Sequence, residues 1–176
     1  MTDRIPDPNI ESAYSSESGT LAACPCQSKK PYAQCCEPYH AKQAIPPDAL
    51  CLMRSRYSAY ALGRVDYIMA TTHRNYPDYR KDTAAWRADL TRYCQETAFL
   101  GLHIIDTDLN NNALKSPTGE AMATVTFEAD LAQHAPLSLE ENTVYAYTMR
   151  EKSAFVKVGE RWFYYAGETA LLEKQA

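Results

Sequence analysis

The chain has 176 residues, enough for one ordinary domain plus a small appendage, and such a domain buries a sizeable core without disulfides. A net charge of −4 argues against a general nucleic-acid binder. No stretch approaches about eighteen consecutive apolar residues, so no membrane-spanning helix is expected.

Residues 1–23 are rich in Ser, Glu and Pro and read as a mobile tail. They lack the basic start and apolar run of a signal peptide, which predicts a cytoplasmic, reducing location. Residues 24–44 hold the densest chemistry, with Cys24, Cys26, Cys35 and Cys36 spaced as C-x-C-x8-C-C. Four soft ligands that close suit a tetrahedral structural metal ion: zinc, with iron also accommodated by a sulfur-rich site. His40 is an alternative fourth ligand, because adjacent cysteines cannot always reach one ion together. Disulfides or free thiols are the competing reading, and a reducing compartment weighs against disulfides. Pro25 and Pro31 restrict the loop between the ligands.

Ala44-Ile45-Pro46-Pro47 reads as a stiff linker. Asp48 is placed to cap a helix running to Leu62, with Leu50, Met53, Tyr57, Tyr60 and Ala61 at helical spacing and Gly63 as the stop. Val65 to Thr72 predicts a short second helix, and Asn75 to Asp78 a loop. Thr83 is the predicted cap of a third helix carrying Trp86, Leu90 and Tyr93 on one face. Cys51 and Cys94, in these helical stretches, read as small buried hydrophobes.

After residue 97 the periodicity changes. Phe99 to Ile105 is an apolar strand, and Asn110 to Asn112 with Ser116 to Gly119 form turns. Ala123, Val125, Phe127 and Ala129 alternate with polar residues in a half-buried strand. Val144 to Val158 reads as one long strand, turned at Gly159-Glu160 and returned by Trp162 to Tyr165. The expected class is α+β: three helices packed on a curved, cone-shaped, antiparallel four-stranded sheet, preceded by a small zinc knuckle. Residues 48–170 carry their own apolar pattern and are expected to form the cone domain. Thirteen tyrosines against four phenylalanines fit a cone with a wet cavity, or tyrosines at sheet edges.

The segment Cys24-Pro25-Cys26-Gln27-Ser28-Lys29-Lys30-Pro31-Tyr32 through Cys36 resembles the SEC-C motif, the zinc knuckle at the C-terminus of the translocase ATPase SecA. That family reads C-P-C-G-S-G-K-x-Y-x-x-C-C or C-H, and here Gln27 and Lys29 replace its two glycines. With Glu37-Pro38-Tyr39-His40 and Leu52 to Gly63, the chain resembles the bacterial YchJ family. The resemblance implies a SEC-C knuckle joined to a domain similar to nuclear transport factor 2, and no agreed activity.

Candidate pocket residues are Tyr57, Tyr60, His73, Trp86 and Glu151, with Asp66 and His103 as further titratable groups. Tyr57 and Tyr60 lie three apart on one helix and share a face, and His73 can act as a base near neutral pH. Each also has a structural reading: packed tyrosines, a hydrogen-bonded loop histidine, a core His103, arginines 54 and 56 on solvent or paired with a carboxylate. Residues 24–64 carry six basic and two acidic side chains, or about +2 with four thiolates and one divalent ion. The favoured expectation is therefore an adaptor that presents Lys29, Lys30 and Tyr32 to a protein partner, a chaperone or the ribosome, as similarity to SecA's use of the motif implies. The alternative is a small-molecule-binding protein or enzyme, isomerase- or dehydratase-like, that uses the cone. A deep apolar pocket with two convergent titratable groups favours the second reading, and a filled cone the first.

Overall fold

The computed structural model describes residues 22–77, 79–109, 114–134 and 144–172. The expected tail up to residue 21, the Asn110–Asn112 turn and Asp78 lie outside the described residues. Among the described residues four α-helices precede four strands: α1 (Glu37–His40), α2 (Ala49–Ala61), α3 (Val65–Ala70), α4 (Thr83–Glu96), β1 (Thr97–Asp108), β2 (Met122–His134), β3 (Val144–Val158) and β4 (Arg161–Leu172). Helix α1 belongs to the cysteine segment. The remaining three pack with an antiparallel four-stranded sheet, as expected, and the structure gives its strand order as β1-β2-β3-β4. Among the described residues no helix is long and apolar enough to cross a membrane.

Helix α2 starts where the Asp48 side chain accepts the Cys51 amide at 2.7 Å. It ends in a Schellman turn: the Gly63 amide bonds Tyr60 O and the Arg64 amide bonds Ala59 O, with Gly63 at φ +62°. The cap of α4 differs from expectation. Asp82, not Thr83, accepts the amides of Ala84 and Ala85, because its carboxylate sits one residue outside the helix in extended backbone.

The strands outrun their apolar patterns. Strand β4 continues to Leu172 although residues 167–171 are exposed, since ladder hydrogen bonds to β3 need no side-chain burial. Strand β1 carries two bulges, at Leu100 and Ile105, which are 58% and 50% exposed despite lying in the apolar run. The first bulge reverses the side-chain alternation, so Leu102 faces the core and His103 turns outward. The expected core histidine is instead a surface group beside Asp130 at 3.3 Å. Cys51 and Cys94 are half-buried rather than buried.

The core lies between the sheet and α2, around Leu52, Ile68, Val125, Leu131 and Phe155. Buried Cys24, Cys26 and Cys36 join the same cluster, so the cysteine segment packs directly on α2. Because α2 is central, loss of its cap should be felt globally. Asp48→Ala is expected to cost about 1 kcal/mol and to lower the melting temperature by about 2–4 °C, read by circular dichroism.

Candidate metal centre and cone cavity

The cysteine segment is a tight loop closed by its own backbone. The Cys24 amide bonds Lys30 O at 2.9 Å, the Tyr32 amide bonds Ala22 O, and a short 3-10 turn over Tyr32–Gln34 leads to the Cys35–Cys36 pair. Gln27 and Lys29 take φ of +60° and +63°. These are the positions where the motif's glycines stand, so the left-handed turns persist with side chains that strain them.

The four sulfurs of Cys24, Cys26, Cys35 and Cys36 lie within 4.8 Å of one another. Cys26 Sγ is 3.6 Å from Cys35 Sγ, and Cys35 Sγ is 3.9 Å from Cys36 Sγ. A tetrahedron with metal–sulfur bonds of about 2.3 Å has edges of about 3.8 Å, so the spacing fits a metal ion. Thiol donors from Cys24 and Cys36 hold Cys26 far below the usual thiol range, and burial lifts Cys35 to about 11. A divalent cation placed among these four sulfurs would favour their thiolate forms. The Ser28 hydroxyl lies 3.1 Å from Cys35 Sγ, and the Arg54 guanidinium donates to Cys26 O at 2.6 Å. These contacts hold the ligands in place. An ion bound by all four cysteines would keep no open position and would serve structure.

His40, the alternative ligand, is committed elsewhere. Its Nε2 lies 2.9 Å from Ser55 O and its Nδ1 2.8 Å from the Tyr32 hydroxyl. A carbonyl only accepts, so Nε2 carries the proton and Nδ1 accepts from Tyr32. Burial lowers the histidine pKa and keeps that neutral form. The same bond turns Tyr32 inward, so only Lys29 and Lys30 of the expected partner surface are exposed.

On the opposite flank of α2 the cone encloses a cavity of about 530 Å³. Of the sequence-derived candidates, Tyr57, Tyr60, Trp86 and Glu151 line it and His73 does not. The Thr71–His73 segment pairs with β4 through His73 N–H to Tyr164 O. Alternation then sends Thr72 inward and His73 outward, against Phe163 and Tyr165. Asp66 is also outside, paired with Arg87 at 2.5 Å. The Tyr57 hydroxyl donates to Gly101 O at 2.9 Å, and burial first, then Asp130, pushes its pKa up. It is a structural contact rather than a free acid.

Sequence reasoning missed two groups at the cavity's polar end. Arg56, expected on solvent or beside a carboxylate, is only 6% exposed. Its Nη1 donates to Ile68 O and the hydroxyls of Thr71 and Thr72, and its Cζ lies 4.7 Å over the Tyr164 ring. Its spacing of four from Tyr60 was a legible signal that it shares that helix face. Tyr164 donates to Glu151 Oε1 at 3.1 Å, and Ser153 donates to the same oxygen at 2.5 Å. Burial, then the Glu151 charge, raises the Tyr164 pKa, so this phenol stays a donor. A β4 bulge at Tyr165 puts Tyr164 on the same face as Gly167 and Thr169. Gly167 leaves the room: a Cβ there would collide with the Tyr164 hydroxyl and lie 2.5 Å from Glu151 Oε1.

Two outcomes test the knuckle. Gln27→Gly and Lys29→Gly should each relieve about 0.5–1 kcal/mol and tighten metal severalfold in a chelator competition. Because Cys24, Cys26 and Cys36 share the domain core, metal removal should lower one common melting transition. Two separate transitions, with the upper unmoved, would mean that the segment melts alone.

Comparison with known proteins accords with this anatomy. A family model described as "YchJ, middle NTF2-like domain" matches residues 48–167, and the SEC-C motif model matches residues 22–38. A UPF0225 protein of Pectobacterium carotovorum is 35% identical over 145 residues, 82% of each chain. One from Haemophilus influenzae is 32% identical over 82% of this chain and 76% of its own. The solution structure of a SEC-C motif containing protein from Rhodopseudomonas palustris superposes with a TM-score of 0.61 at 29% identity, covering 83% of this chain and 97% of that one. A SEC-C protein from Psychrobacter arcticus shares the fold at a TM-score of 0.58 and 24% identity, over 88% of this chain and 82% of its own. With a SEC-C cysteine cluster set on an NTF2-like cone, the chain belongs to the YchJ family.

Proposed function

We propose that this protein binds a small organic molecule in its cone and that the cysteine cluster is a structural zinc site bracing one wall of that cavity. The observation that carries the reading is the polar end of the cavity, where Arg56 and Glu151 face the same space across Tyr164. Two titratable groups converging in an aromatic-walled space of about 530 Å³ are what a ligand site of ordinary size requires. Zinc is preferred over iron because four cysteine sulfurs at tetrahedral spacing, with no open position, suit a redox-inert structural ion. Six free cysteines accord with a cytoplasmic, reducing location.

Exposed Lys29 and Lys30 support a second reading, an adaptor that docks the knuckle on a protein or ribosomal partner. Tyr32, the third expected contact, is half-buried with its hydroxyl bonded to His40, so the two lysines are the better-exposed part of that surface.

Elemental analysis should find one zinc per chain. Less than about a tenth of an equivalent of any transition metal, with thiols intact, would reject the structural site. Thermal-shift screening of a small-molecule library should return compounds that stabilise the wild type and lose their effect in Thr169→Phe. That exposed position lines the cavity, so the phenyl ring fills space without crowding the core. Hits acting equally on both chains would reject the cavity. A pull-down with Lys29→Glu and Lys30→Glu tests the adaptor: recovery of the wild-type partners rejects it, and their loss with metal retained supports it.

A further inference from the structure

Arg56 is a buried cation on the wall of a cavity. Among the described residues it forms no ion pair; its partners are a carbonyl, two threonine hydroxyls and the face of Tyr164. The guanidinium also draws on the Tyr60 hydroxyl, opposing the upward push of burial on that phenol's pKa. A buried charge held only by neutral acceptors stays costly to desolvate, and an opposite charge brought beside it recovers most in a dry site. The hydrogen bonds to Ile68, Thr71 and Thr72 all leave from Nη1, and Arg56 lines the cavity. A planar fork of that kind matches a carboxylate.

Glu151 does not occupy that role. It accepts from Ser153 and Tyr164, and Tyr164 stands between it and the guanidinium. Its negative charge at the same end of the cavity disfavours a second anionic group. Tyr60, Trp86, Tyr93 and Phe99 supply an apolar wall for a ring-sized body. Resting on the cavity-binding reading above, we propose that the cone takes a small apolar monocarboxylate, with the carboxylate on Arg56 and its apolar body against these aromatic side chains.

The test is an NMR titration of the metal-loaded, isotope-labelled full chain with phenylacetate, phenylacetamide and phenethylamine, reading the Trp86 indole and Gly167 amide. Phenylacetate should bind at least tenfold more tightly than the amide, and the amine more weakly still. Arg56→Met should abolish that preference. The variant is expected to fold, because Thr72 Oγ1 still donates to Ile68 O and Thr71 Oγ1 to Tyr67 O. Should it unfold, Glu151→Gln decides: removing the like charge should tighten phenylacetate severalfold and weaken the amine. Amine or amide binding as tight as phenylacetate, or a Glu151→Gln change of opposite sign, would overturn the anion assignment and leave a ligand-binding cone. Failure of all three probes to move either reporter would overturn the assignment and count against the cavity as a ligand site.

Discussion

Helix α2 is buried on almost every side, and its polar residues must each find a named partner. Ser55 bonds Leu52 O and the Tyr67 hydroxyl, Arg56 reaches Ile68, Thr71 and Thr72, and Ser58 lies 3.4 Å from Cys24 Sγ. Arg54, half-buried, ties the helix to the Cys26 carbonyl. A helix so enclosed cannot rotate or slide without orphaning several of these groups at once, each at about 1–3 kcal/mol. The cysteine segment, α3, the sheet and the cavity are all positioned by that one satisfied helix.

The same helix gives the metal centre a physical route to the cavity. Arg54, Ser55 and Ser58 face the cysteine segment, through Cys26 O, His40 and Cys24. Met53, Arg56, Tyr57 and Tyr60 line the cavity. One helix thus has the cysteine cluster on one flank and the cavity on the other. An ion held by all four cysteines would keep no open coordination position and would brace this flank of the helix.

Three bulges aim the cone's side chains. In β1 the extra residue at Leu100 swaps Leu102 into the core and His103 out of it, and a second follows at Ile105. In β4 the extra residue at Tyr165 brings Tyr164 onto the face of Glu151 and Ser153. Because strand alternation has period two, one inserted residue reverses every side chain beyond it. A surface group and a cavity group are thereby exchanged with no change in the strand pairing order.

What the sequence by itself determined is local: the spacing of four cysteines, the Asp48 cap, the Gly63 stop, the helix faces and the alternation of β2. Each depends on contacts within a few residues or on a fixed period, so it can be read without knowing the partner across the core. The family, too, was legible in the cysteine segment and the residues up to Gly63. The tertiary structure alone decided the rest. That Cys36 lies among the clustered sulfurs, while both ring nitrogens of His40 bond Tyr32 and Ser55, comes from the tertiary packing. That His73 lies outside the cone follows from its pairing to β4. That Arg56 is a buried wall of a cavity follows from α3 and Tyr164 closing over it. The helix period put Arg56 on the face of Tyr60, but its burial, like the other two outcomes, depends on non-local hydrogen bonds, which leave no periodic trace in the chain.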